Sequence, residues 1–238
     1  MELRDPTGPR RPQGGRPEDP LRRVGRAVLT ALPYPLLLVA GTLSVDALPD
    51  RSREAWLRYV STDLANLGDH PLPCLLLSAF VTEGELVAWA VLGLAGLAAL
   101  GVRFGAWRAL TLAFAVHLLA TLVSQGLVAY RIGTGALPGS DRLMSDIGPS
   151  YVVVAALVAA LGHGTRWGRV VGAVGFAVLA PSLFGGLADL DVAAVGHVVS
   201  VALALVLGWP VAWWAAAPAG TSGPGPARPD AGPGIPQE

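Results

Sequence analysis

The sequence contains no lysine, only one cysteine and few charged residues. All 17 basic residues are therefore arginine, and charged residues make up 14% of the 238 positions, against about 25% in a typical soluble domain. Cys74 has no second cysteine with which to form an internal disulfide. The formal net charge is zero, which gives no indication of a nucleic-acid partner. With 53% apolar residues, this depletion of charge predicts an integral membrane protein in contact with lipid.

Six apolar runs with few charges follow one another along the chain. An apolar helix of about 20 residues spans a hydrocarbon core of ~30 Å. We therefore predict an all-α, polytopic membrane protein with six transmembrane helices. Their expected ranges are 28–45, 86–102, 106–130, 147–161, 170–187 and 192–214.

The long loop 46–85 separates the first two runs. Between 51 and 67 it places Trp56, Tyr59, Val60, Leu64 and Leu67 at helical spacing, with polar residues between them. This pattern predicts an amphipathic segment that lies in the plane of the membrane interface, as an amphipathic first extracytoplasmic loop. Two prolines further on, at positions 71 and 73, are expected to stop any helix there.

The two ends of the chain are rich in proline and glycine and have few residues to bury. We predict disordered tails at 1–26 and 217–238 around a membrane domain at 27–216. Arginine sets the orientation, since seven precede the first span and two lie in each of the 2–3 and 4–5 turns. Both termini are thus predicted to be cytoplasmic, in a multi-pass protein of the cell membrane. The use of arginine alone, beside abundant alanine, glycine, leucine and valine, suggests a bacterial source.

Two polar side chains are expected to lie at similar depth near the outer surface. Ser150 lies near the start of the predicted fourth span and His197 near the start of the sixth, and both spans run inward. A serine and a histidine in contact form a candidate nucleophile and general base. Each residue also has a structural interpretation. Serine commonly caps a helix start, and a histidine can form a hydrogen bond between two helices. His117, in the third span, is interpreted as structural.

The sixth span has a small residue at every fourth position. Such a face allows another helix to approach closely, and it is formed by Gly196, Ser200, Ala204 and Gly208. The pair Gly148-Pro149 precedes Ser150 and is expected to place the serine at a helix start with free backbone N–H groups.

The string Gly148-Pro149-Ser150-Tyr151 is similar to the serine motif of the rhomboid intramembrane serine proteases. His197 with the small residues that follow it resembles the sixth-span motif of that family, and residues 75–80 resemble its sequence before the second span. The resemblance implies a six-helix rhomboid fold with a Ser150–His197 dyad that cuts transmembrane substrates. It also implies that Gly148 and Tyr151 form or support the oxyanion site, with no metal or cofactor.

Three departures from the family pattern favour a second hypothesis. Tyr151 stands where the family has glycine, and Val154 where an aromatic ring stacks on the histidine. The second span opens with Glu85 to Trp89 instead of the histidine and asparagine that hold the oxyanion, and losing one such donor typically costs about 10²–10³ in rate. The alternative is an inactive rhomboid-like protein that binds transmembrane helices of client proteins. A transporter is less well supported, since no internal repeat is found.

Overall fold

The computed structural model describes residues 19–216, and within this range the chain is helical with no β-strand. Short 3₁₀ turns at Ser78–Phe80, Gly139–Leu143 and Leu187–Asp189 connect some of the helices. The all-α prediction is confirmed. The described α-helices are α1 Pro20–Ala31, α2 Pro33–Asp46, α3 Asp50–Val60, α4 Leu64–Asp69, α5 Pro71–Leu77, α6 Leu86–Phe104, α7 Ala106–Gly133, α8 Ser150–His163, α9 Arg166–Leu183 and α10 Val192–Ala216.

The first predicted span is two helices in tandem. α1 and α2 meet at Leu32, directly before Pro33, whose ring and missing N–H interrupt a continuous helix. Residues 20–26, assigned to the N-terminal tail from the sequence, belong to α1, which begins beside Asp19 as its cap. Residues 1–18 of that tail and all of 217–238 lie outside the described residues.

Within residues 19–216, four helical segments are long and apolar enough to cross a membrane by length and composition. They are Pro20–Asp46, Leu86–Phe104, Ala106–Gly133 and Val192–Ala215. α8 is apolar but has 14 residues, and α9 carries arginine at two positions of its first turn. The protein is thus a multi-pass membrane protein, while the count of six spans and the orientation of the termini stay predictions.

α8 forms the centre of the bundle. Every side chain from Tyr151 to Ala160 is buried, and α6, α7, α9 and α10 surround it. Glycine permits these close contacts, because a Cβ on Gly96 would lie 3.2 Å from the backbone nitrogen of Leu157 and one on Gly172 would overlap the Leu157 carbonyl. The middle of α8 is therefore packed closely against α6 on one side and α9 on another.

The loop between α2 and α6 differs from the prediction in two ways. The amphipathic segment is two helices, because the chain is extended at Ser61 and Asp63 caps α4 by accepting a hydrogen bond from Asn66 N at 3.0 Å. The expectation that Pro71 and Pro73 stop any helix is wrong, since Pro71 begins α5 and Pro73 lies within it. Proline is favoured at a first helical position, where no N–H partner is needed.

Candidate functional site

Ser150 is the first residue of α8. Gly148, two residues earlier, has a φ of 150°, which other residues rarely adopt, and its N–H donates to Ser78 O at 3.2 Å. α8 is only about 21 Å long at 1.5 Å per residue, so its ends cannot both reach the surfaces of a ~30 Å core. Ser150 is half-buried, and its Oγ makes no hydrogen bond to any described residue.

His197 lies on α10 and is buried, with 7% of its surface exposed. Its Nδ1 lies 2.7 Å from the carbonyl oxygen of Leu183. A carbonyl only accepts, so Nδ1 carries a hydrogen and Nε2 of the neutral ring is an acceptor. Nε2 has no hydrogen-bond partner within the described chain. The structure therefore forms no Ser150–His197 hydrogen bond, and the dyad stays a prediction.

The Tyr151 side chain contacts His197. Its ring meets the His197 ring edge-on at 5.3 Å between centroids, and the His117 ring lies 6.0 Å away. The Tyr151 hydroxyl lies 3.3 Å from both Asp146 Oδ2 and Val192 O. Tyr151 thus fills the space between two histidines and joins α8 to the start of α10.

The small face of α10 packs against α8, and all four of its residues are buried. A Cβ on Gly196 would overlap the Tyr151 ring, with Cε1 at 2.7 Å. Gly208 makes room for the His163 ring, whose Nε2 would lie 2.7 Å from a Cβ there. The absence of a side chain at these two positions sets how closely α8 and α10 approach.

α7 presents a buried polar face, of which only His117 was identified from the sequence. His117, Thr121, Ser124 and Gln125 are all buried, and their spacing of four, three and one places them on one side of the helix. His117 Nε2 lies 3.0 Å from Leu75 O, as expected of a structural histidine. Buried polar atoms normally have partners, but His117 Nδ1, Thr121 Oγ1 and Gln125 Nε2 have none in the described chain.

Asp146 completes this polar cluster, and no motif or periodicity indicated it. Its backbone is held by the α3–α4 junction, since Thr62 N and Oγ1 donate to Asp146 O at 2.9 and 2.8 Å and Ser61 Oγ accepts from Asp146 N at 3.1 Å. Desolvation raises the pKa of the Asp146 carboxyl to about 6, although the hydrogen bond from the Tyr151 hydroxyl to Oδ2 lowers it. The negative charge of Asp191 also raises it.

The raised pKa of Asp146 predicts a pH dependence of stability. The folded state binds this proton more tightly than the unfolded state, so the stabilisation is complete below the unfolded pKa and is lost as the pH rises through about 6. We expect a free energy of unfolding about 2 kcal/mol larger at pH 4 than at pH 7 from this group alone. Thermal unfolding in an uncharged detergent across this pH range measures the effect. Asp146→Asn should flatten the dependence of stability on pH. An unchanged profile in that variant would contradict the assignment.

Fold and site together define a multi-pass α-helical membrane protein with a polar cluster where α7, α8 and α10 meet. A family model described as "Rhomboid-like protein" matches residues 24–212. The chain belongs to this rhomboid-like family, as the short motifs predicted. No curated protein and no solved structure gives a significant match.

Proposed function

We propose that this rhomboid-like protein binds transmembrane helices of client membrane proteins and does not hydrolyse them. The observation that carries the proposal is the position of Tyr151, whose ring packs edge-on against His197 at 5.3 Å. A base must reach the proton that it removes at hydrogen-bonding distance. Here the tyrosine ring packs against the imidazole, and Nε2 is buried and without a partner in the described chain.

The region that would stabilise an oxyanion also supports this proposal. Glu85 is exposed and precedes α6, and Trp89 packs against the hydrophobic core. The Gly148 N–H donates to Ser78 O, so it is not free for a substrate carbonyl. Preorganised donors are usually the largest contribution to acyl-transfer catalysis, and this site retains only the first N–H groups of α8, which have no intrahelical acceptor.

One observation favours a protease as the second candidate. The contact between His197 Nδ1 and Leu183 O at 2.7 Å leaves Nε2 as the acceptor, which is the tautomer that a general base requires. Ser150 lies at a helix start with free backbone N–H groups beside it. Nε2 is buried, so a movement of its neighbours would be needed to open this route.

Labelling with a fluorophosphonate probe separates the two candidates. We expect the purified protein to remain unlabelled at pH 7–8, like its Ser150→Ala variant. A fluorophosphonate reacts with an activated serine and needs no knowledge of the substrate. Labelling that is present in the native protein and lost in both Ser150→Ala and His197→Ala would establish the dyad and overturn the proposal.

Quantitative co-purification tests the binding itself. A protease cleaves and releases its substrates, so Ser150→Ala would enrich them relative to the native protein. A binding protein retains the same clients in both forms. We therefore expect equal recovery of single-span membrane proteins with the native chain and with Ser150→Ala, measured by mass spectrometry from the same membranes. Enrichment confined to Ser150→Ala, or no single-span protein with either form, would contradict the proposal.

A further inference from the structure

The end of the bundle at which α7 begins and α10 finishes carries exposed tryptophans beside arginines. Trp107 is 80% exposed and Trp214 is 61% exposed, although both belong to apolar helices. Tryptophan is enriched where a membrane protein meets the headgroup region. The first turn of α7 and the last turns of α10 therefore lie at the level of the lipid headgroups.

Two apolar grooves run from this level toward the middle of the membrane, one on each side of α7. The groove between α7 and α10 has a volume of about 700 Å³, and the groove between α7 and α2 about 470 Å³. Both volumes fall in the range of sites that hold small molecules. The grooves share one wall, formed by Trp107, Thr111 and Ala115.

The length of the grooves matches one leaflet. Along α7 the first groove extends from its N-terminal end to Ala115 and the second from Trp107 to Leu118. At 1.5 Å per residue these stretches are about 14–17 Å long, and half of a ~30 Å hydrocarbon core is about 15 Å. Two grooves of this length, which share Trp107 at headgroup level, fit two acyl chains of a single lipid.

The mouth of the first groove is positively charged. The Arg108 guanidinium lies over the Trp214 ring at 4.4 Å and lines the groove. Neither Arg108 nor nearby Arg103 forms an ion pair with a carboxylate of residues 19–216, and α6, α7 and α10 contain no acidic residue. Arg108 Nη1 donates to Phe104 O at 3.4 Å, which leaves the hydrogens of Nε and Nη2 to bind a phosphate with two parallel hydrogen bonds.

We propose that the start of α7 is a binding site for one anionic diacyl phospholipid, whose phosphate pairs with Arg108 and whose two chains lie in the grooves on either side of α7. The charge complementarity at Arg108 selects the headgroup, and the paired grooves select a lipid with two chains. Pro210 lines the first groove from α10, where proline interrupts the helical hydrogen bonding. The site is separate from the Tyr151–His197 cluster and does not depend on the proposed function.

Native mass spectrometry of the full-length protein in neutral detergent tests the site with dioleoylphosphatidylglycerol and dioleoylphosphatidylcholine as probes. We expect one phosphatidylglycerol to be retained about fivefold better than phosphatidylcholine, the difference typical of one arginine near an anionic headgroup. Arg108→Gln should abolish that preference, and Arg108→Lys should keep most of it. Arg166→Gln, which removes an exposed arginine at the same end but outside both grooves, should change nothing.

The contribution of the two acyl chains is tested by substitution in the wall that the two grooves share. Ala115→Trp should lower retention of both lipids, whereas Leu119→Trp, one turn further along α7 at a lipid-exposed position outside the grooves, should not. Equal retention of the two lipids by the native protein, or a preference that survives Arg108→Gln, would overturn the proposal. Displacement of phosphatidylglycerol by a synthetic apolar transmembrane peptide would also overturn it, because the grooves would then be a helix-binding surface.

Discussion

Gly196→Ala should destabilise the protein by about 1–3 kcal/mol, the usual cost of inserting a methyl group into a packed interior. The new Cβ would overlap the Tyr151 ring, with Cε1 at 2.7 Å. The ring cannot move aside easily, because His117 and His197 pack against it. α8 and α10 must therefore separate at the polar cluster. The free energy of unfolding from sodium dodecyl sulfate titration in mixed micelles measures the effect.

The same substitution elsewhere in the chain provides a control of opposite sign. Gly126 lies inside α7, and a Cβ there would meet nothing within 4 Å. Gly126→Ala should stabilise the protein by about 0.5–1 kcal/mol, because alanine is a better helix former than glycine. If both substitutions changed stability in the same direction, the close contact at Gly196 would not limit the approach of α8 and α10.

A double-mutant cycle identifies the partner of Gly196. If the methyl group added by Gly196→Ala acts through the tyrosine ring, the substitution should cost little stability in a Tyr151→Ala background. The two changes would then be strongly non-additive, as expected for residues in contact. Additive effects would show that another neighbour sets the separation of the helices.

Helix starts were predicted well where the change from polar residues or glycine to an apolar run marks them. α6, α7 and α10 begin at the expected residues 86, 106 and 192, in each case where polar or glycine residues give way to an apolar run. The first loop was predicted less well, because Asp63 caps a new helix and Pro71 begins another. Both events depend on local hydrogen bonding that apolar periodicity does not record.

The candidate site was predicted only in part. Gly148-Pro149 correctly indicated a helix start at Ser150, and the motif order indicated the family. The contact of Tyr151 with His197 depends on the rotation of α8 relative to α10, which no local pattern specifies. Asp146 was missed because it lies in a loop and its partners, Ser61 and Thr62, come from a distant segment. Long-range loop docking of this kind has no signature in a single sequence.

Tyr151→Ala should have the largest effect of any single change in the site, a loss of about 3–5 kcal/mol, as is typical when a buried aromatic side chain is truncated to alanine. It would remove the ring between His117 and His197 and the hydroxyl that lies 3.3 Å from both Asp146 Oδ2 and Val192 O. Tyr151→Phe isolates the hydroxyl and should cost about 1–3 kcal/mol, because a buried acceptor is then left without its donor.

Ser150→Ala is the matched comparison, since it changes the adjacent residue of the same helix. Its Oγ has no hydrogen-bond partner in residues 19–216 and its side chain is half-buried, so the expected change is within about 0.5 kcal/mol. Unfolding of the three variants in mixed micelles gives the ranking directly. A Ser150→Ala loss as large as that of Tyr151→Phe would mean that the serine hydroxyl is bonded within the cluster. In that case His197 Nε2 would be its natural acceptor, and the protease would become the better-supported function.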